Sequence, residues 1–213
     1  MERRLILASA SPRRAGLLRM LGLPFEAVPS HVPEDLARPL PPAEHVLEIC
    51  LRKARAVARQ FRDALVLGAD TVVAIDGDIL EKPADAEEAV RMLTRLSGNT
   101  HRVFTGLTLL DTATGRVLSD VAVTAVTLRR LSLDEIRWYV QTREPMDKAG
   151  AYAAQGRAAV FIESVCGCFY NVVGLPLACF WQLMDRMLDG SPWSLIPEGV
   201  APSDLIVSGH PEP

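Results

Sequence analysis

The chain lacks most of the signatures that announce a nucleotide or metal enzyme. No Gly-x4-Gly-Lys-Ser/Thr occurs, which excludes a Walker phosphate loop, and no Gly-x-Gly-x-x-Gly occurs either. Four cysteines (Cys50, Cys166, Cys168, Cys179) make no disulfide framework in 213 residues. Cys166-Gly-Cys168 is not a Cys-x-x-Cys pair, so neither a zinc site nor a redox motif is signalled. The cysteines read as small buried residues in a reducing cytosol. Four histidines are present, none with a second at ligand spacing, so each reads as an ordinary core or surface residue. A net charge of −3 argues against general nucleic-acid binding and leaves room for a local basic pocket. No run reaches the length of a membrane span. The apolar stretch after Met1-Glu-Arg-Arg is shorter than the roughly 7–15 residues of a signal-peptide core. The expectation is a cytoplasmic protein with no nucleic-acid or membrane partner. No internal repeat and no linker is visible, so 1–190 reads as one domain and 191–213, rich in Pro and Gly, as a loosely held tail. A chain of this length buries roughly 70% of its unfolded surface, ample for a real core.

What is present begins at Leu5-Ile-Leu-Ala-Ser-Ala-Ser-Pro-Arg-Arg14. Leu5 to Ala8 reads as a buried strand. Ser9 and Ser11 break it, Pro12 suits the first turn of a helix, and Leu17, Leu18 and Leu21 return at helical spacing until Gly22. Strand, serine turn and helix start make an anion site: free N–H groups, two hydroxyls, and the guanidinium forks of Arg13 and Arg14. Basic residues in a first turn oppose the helix dipole, so stability alone does not explain them.

Phe25 to Val28 reads as a second strand, and Pro29 to Pro42 as a loop carrying Glu34 and Asp35. Ala43 to Phe61 is a helix with the apolar stripe Val46, Ile49, Cys50, Ala54, Val57 and Phe61. Lys53 falls inside that stripe, either as a snorkelling lysine at its edge or, the favoured reading, as one pointing into a charged site. Ala64 to Ile75 is the strongest strand signal and is apolar enough for burial on both faces. Asp70 and Thr71 interrupt it, after Gly68 and Ala69 that leave room for something to approach the backbone. A carboxylate there needs a metal, a cation or several donors. Asp76-Gly77 reads as a hairpin turn, which returns Glu81 and Lys82 towards Asp70. Asp85 and Glu88 box a helix over Ala86 to Leu96, and Ser132 and Glu135 box another. Strands are expected at Arg102–Leu110 and Val117–Leu128, and two more at Ala159–Ile162 and Cys168–Val173. Between them lies a Gly- and Ala-rich loop with Asp147, Lys148 and Gln155, and Gly174-Leu-Pro176 opens a final helix through Met187.

Ser9-x-Ser-x-Arg-Arg14, Gly68-Ala-Asp-Thr71, Glu81-Lys-Pro83, Ser97-Gly-x-Thr-His101, Asp147-Lys-Ala-Gly-Ala-Tyr152 and Val173-Gly-Leu-Pro176 stand in the order seen in the Maf family. The chain closely resembles a Maf-type nucleoside triphosphate pyrophosphatase, also called septum formation inhibitor, from residue 4 to about residue 188. The resemblance implies an α/β, inosine-triphosphatase-like two-lobed fold with a long mixed β-sheet and a central cleft. It implies hydrolysis of the α–β phosphoanhydride of a nucleoside triphosphate with a divalent cation, Mg²⁺ or Mn²⁺. By resemblance Asp70 is the catalytic carboxylate and, with Glu34, a metal ligand. Ser9, Arg14, Lys53 and Lys82 map to the phosphate site. Arg13, Thr71 and Gln155, beside Gly-Ala-Asp-Thr, look like the branch acting on dTTP and UTP, with modified pyrimidine nucleotides as further candidates. The 7-methyl-GTP branch instead tends to carry Ser-Asp-Gln in the strand motif. The family often forms homodimers. Two other readings stay open on sequence: a non-enzymatic regulator of septum formation, and a nucleotide sensor with poor turnover.

Overall fold

The structure, a computed structural model, describes residues 4–190 and 192–196. Seven strands among these residues form one mixed sheet: β1 (Arg4–Leu7), β2 (Phe25–Ala27), β3 (Ala64–Ile75), β4 (Asp78–Leu80), β5 (Thr100–Asp111), β6 (Val117–Leu128) and β7 (Ile162–Cys166). The order is β2-β1-β3-β5-β6-β7, with β4 added to β3. β1 runs parallel to β2 and β3, while β3, β5, β6 and β7 are antiparallel neighbours. The helices are α1 (Pro12–Met20), α2 (Pro42–Ala58), α3 (Ala86–Leu96), α4 (Leu133–Gln141), α5 (Phe169–Val173) and α6 (Leu177–Met187). The α/β class with a long mixed sheet is as expected.

On one face the long strands β3 and β5 carry two cores, and a third lies on the other face. One packs Leu5, Leu7, Leu65, Leu67 and Ala69 with α1 and α6. The other packs Val73 and Ile75 with α3, α4 and Tyr152. Along β3 the division falls between Ala69 and Val73, and Thr71 lies in it. The opposite face of the sheet takes α2. A Cβ on Gly68 would lie 2.1 Å from the Cys50 carbonyl oxygen, and one on Gly106 2.6 Å from that of Val46. Glycine at both places therefore lets the α2 backbone touch the sheet.

One edge of β3 is covered in two pieces. β1 pairs with Ala64–Leu67, and β4 pairs with Val73–Ile75. Between them 68–72 has no strand neighbour on that side among the described residues. Gaps where strand partners diverge are where open α/β sheets bind ligands.

Two expected strands are helical instead. Arg157–Phe161 is a 3-10 turn, and the strand begins only at Ile162. Phe169–Val173 is a short helix. Its aromatic and β-branched residues favour a strand, but tertiary bonds override that preference. Thr124 Oγ1 holds the Cys168 N–H at 3.1 Å and the Asn171 amide at 2.9 Å, and left-handed Gly174 (φ 117°) closes the far end. Ser132 and Glu135 form the expected box. Asp85 caps α3, but Glu88 reaches the Ala84 N–H. Of the expected tail, Pro192–Leu195 is a 3-10 turn and Leu195 joins the first core; 191 and 197–213 lie outside the described residues.

Candidate active site

At the gap in the β3 edge lies a cleft of about 460 Å³. It draws residues from both faces of the sheet, because neighbouring strand residues point opposite ways. Asp70 points to the α2 side and Thr71 to the α1 side.

On the α2 side, Lys53 Nζ donates to Asp70 Oδ1 at 2.7 Å and to Glu34 Oε1 at 2.6 Å. Lys53 and Asp70 are each only 6% exposed. Taking two charges out of water costs about as much as their attraction returns, so such a pair is weak evidence for stability. Its presence points to chemistry. Lys82, at the exit of β4, reaches Glu34 Oε2 at 3.4 Å. Burial pushes the Glu34 carboxyl up, but the hydrogen bond and charge of Lys53, reinforced by Lys82, outweigh it, so Glu34 titrates below the ordinary glutamate range. Glu34 is thereby anchored although 29–41 has no regular structure.

On the α1 side, Ser11 caps α1 and Ser9 Oγ accepts from the Ser11 N–H at 3.2 Å. Arg14 is held by three partners: Nη1 to Ser9 Oγ at 3.1 Å, Nη2 to Thr71 Oγ1 at 3.0 Å, and Nε to the Gly174 carbonyl at 2.8 Å. Thr71 Oγ1 also meets Thr105 Oγ1 at 2.9 Å, across the β3–β5 register that pairs the two residues. Burial lowers the Arg14 pKa, opposed chiefly by the charge of Asp70. Arg14 is thus a strut joining α1, β3 and the Gly174 turn, with only part of its fork left for a phosphate.

Arg13 points across the cleft mouth, with Nη1 3.6 Å from Asp147 Oδ2, and Asp147 also pairs with Lys148. Gln155 lines the same cleft on a turn after Tyr152, and its side chain has no hydrogen-bond partner among the described residues. Tyr152 is fastened from behind: its hydroxyl lies 2.7 Å from His101 Nε2, the rings edge-on at 5.3 Å. Burial lowers the His101 pKa to about 4, so the imidazole is neutral at pH 7.

The structure therefore brings all nine expected residues (Ser9, Arg13, Arg14, Glu34, Lys53, Asp70, Thr71, Lys82, Gln155) to one cleft. Glu81, kept on sequence beside Lys82, is exposed and outside its lining. Thr105 and the Gly174 carbonyl, which the sequence reading missed, carry no signal in sequence. Thr105 matters only through strand register, and Gly174 through a backbone oxygen.

Among the described residues no group of three His, Cys, Asp or Glu side chains converges as a metal cage. Two carboxylates, Asp70 and Glu34, do meet at one ammonium. That donor set fits Mg²⁺ or Mn²⁺, which bind through one or two carboxylates plus substrate phosphates.

A mixed-sheet α/β protein with a cleft of paired carboxylates and five cations defines a class that handles polyphosphates. A model of the Maf-like protein family matches residues 4–187, and the chain belongs to that family. It is 52% identical over 182 residues to a dTTP/UTP pyrophosphatase of Symbiobacterium thermophilum, covering 85% of this chain and 93% of that one. It is 51% identical over 175 residues to a dTTP/UTP pyrophosphatase of Syntrophus aciditrophicus, covering 82% and 85%. Among solved structures, a HAM1 protein from Coxiella burnetii matches with a TM-score of 0.47 and 14% identity over 89% of this chain and 100% of that one, a likeness too remote to bear on the site.

Proposed function

We propose that the chain hydrolyses dTTP and UTP at the α–β phosphoanhydride, releasing the monophosphate and pyrophosphate. The observation that carries this reading is Asp70: a carboxylate 6% exposed, at the stretch of β3 that neither β1 nor β4 covers, held by Lys53 and facing a cleft lined by cations. The relatives named dTTP/UTP pyrophosphatase support the choice of substrate.

Water attacks the α-phosphorus, the bond to the bridging oxygen breaks, and pyrophosphate leaves. Lys53 occupies Asp70 Oδ1, so Oδ2 is the oxygen left to act, either by taking the proton of the attacking water or by holding the cation that would acidify it. Lys82 and the free N–H groups of Arg14 face the negative charge that develops on the phosphates. Ser9 and the N-terminus of α1 add neutral donors. Asp70 and Glu34 are the residues that would hold a divalent cation, which when bound neutralises the triphosphate and acidifies a water. Gln155 has an amide donor and acceptor side by side, matched to the carbonyl and N–H edge of a uracil-type ring, and Arg13 adds a donor that suits a carbonyl but not the amino group of cytosine. Thr71, already shared between Arg14 and Thr105, shapes the floor beneath.

The test is pyrophosphate release from a panel of nucleotides by the full chain. dTTP and UTP should give the highest kcat/KM. A preference for 7-methyl-GTP overturns the substrate assignment, and no turnover of any nucleotide returns the protein to a sensor or regulator of septum formation.

A further inference from the structure

The turn that presents Gln155 is held from behind by two residues that do not line the cleft. Tyr139 on α4 has no exposed surface, and its ring packs edge-on to Phe161 at 5.3 Å between centroids. Its hydroxyl donates to Glu144 Oε1 at 2.9 Å and accepts from the Ala153 N–H at 3.1 Å. Glu144 in turn accepts the Arg157 N–H, at 2.9 Å through Oε1 and 3.2 Å through Oε2. Between these ties the Gly156 N–H closes the turn onto the Ala153 carbonyl at 3.0 Å. A Cβ on Gly156 would sit 2.1 Å from Glu144 Oε1 and 2.6 Å from its Cδ. Any larger residue at 156 therefore drives the carboxylate out of its place.

Tying a fully buried tyrosine hydroxyl to a half-buried glutamate is a costly way to fill a core that phenylalanine would pack as well. Burial, then the Glu144 carboxylate, raises the Tyr139 pKa, so the phenol keeps the proton it donates. The ties fall on 153 and 157, one on each side of Gln155. An amide reads two adjacent ring groups only when its backbone is held, since a misplacement of about 1 Å costs on the order of a hundredfold.

We propose that Tyr139 and Glu144 are positioning residues for base selection, fixing the 153–157 turn so that the Gln155 amide meets the pyrimidine edge. This rests on the base-reading role given to Gln155 above. Neither residue touches the nucleotide. Their removal moves KM and discrimination while leaving kcat nearly unchanged.

The experiment is steady-state pyrophosphate release from dTTP and CTP by the full chain carrying Tyr139→Phe. KM for dTTP should rise about tenfold, the scale of one well-placed hydrogen bond. The dTTP-to-CTP ratio of kcat/KM should fall by the same factor. Gly156→Ala reaches the turn from the other side, so it should compress the ratio alike even where Tyr139→Phe folds poorly. Glu144→Gln keeps an acceptor oxygen and should retain more discrimination than Glu144→Ala. In a Gln155→Ala background, Tyr139→Phe should cause no further loss of the ratio. If Gln155→Ala compresses the ratio while folded Tyr139→Phe and Gly156→Ala leave it unchanged, the positioning role is overturned and the Gln155 reading stands. If Gln155→Ala itself leaves the ratio unchanged, the Gln155 reading is overturned and the positioning role with it.

Discussion

At the scale of single residues, Asp70 and Lys53 depend on one another in a way that separates function from stability. Asp70→Asn keeps the shape and removes the charge, so turnover should fall at least about a hundredfold, the contribution of one acid–base group. Near-wild-type pyrophosphate release from that variant would refute the assignment. Lys53→Met leaves Asp70 buried beside an apolar chain, which should cost about 3–5 kcal/mol in urea unfolding. The double variant Lys53→Met with Asp70→Asn removes both charges, so stability should recover while activity does not. If Lys53→Met is neutral in both measurements, Lys53 is only a snorkelling lysine. His101 gives a prediction in pH. Its native pKa of about 4 lies below its ordinary 6.5, so the unfolded chain binds the proton more tightly. Its contribution is complete above pH 6.5 and is lost as pH falls towards 4, in total on the order of 3 kcal/mol. The difference in melting temperature between wild type and His101→Gln should therefore change across that window and be flat above it.

At the scale of elements, the decisive contact is α2 against β3. Lys53 reaches Asp70 because Gly68 lets the two backbones touch. Gly68→Ala places a methyl against the Cys50 carbonyl, which cannot rotate away. It should cost about 1–3 kcal/mol by overpacking and lower turnover as well, because Lys53 moves off Asp70. A variant that loses stability but keeps full kcat would show that the spacing of α2 does not set the site. The stripe of α2, the Asp85 cap of α3 and the capping box of α4 were legible in sequence because capping and periodicity are local. Phe169–Val173 was not, since its helix depends on Thr124, 45 residues earlier, and on Asn171 bonds to the sheet.

At the scale of the whole molecule, two cores on one face of a long sheet leave a cleft between them, and a third packs α2 on the other face. Two carboxylates do not make a metal cage, so a divalent cation is expected to arrive with the nucleotide. A chelator should abolish pyrophosphate release, and Mg²⁺ or Mn²⁺ should restore it, with the melting temperature of the nucleotide-free protein little changed by either treatment. A large drop in melting temperature on chelation would instead reveal a structural metal.

The sequence by itself determined most of the elements and singled out the residues proposed for the chemistry. Asp70 in an apolar strand and Lys53 in an apolar helix stripe stand out because burying a charge is expensive, and Ser9 to Arg14 because basic residues oppose the dipole of the helix they begin. Those conflicts are local and can be read from one window of residues. Tertiary structure alone decided how they combine. The gap between β1 and β4 exposes the edge of β3 at Asp70, and the β3–β5 register puts Thr105 under Thr71. It made Arg14 a strut as well as a donor, and it tied the turn that carries Gln155 to Tyr139 and Glu144 through the Ala153 and Arg157 N–H groups. Such contacts join residues far apart in the chain or use backbone atoms that every residue has, so no spacing or composition announces them.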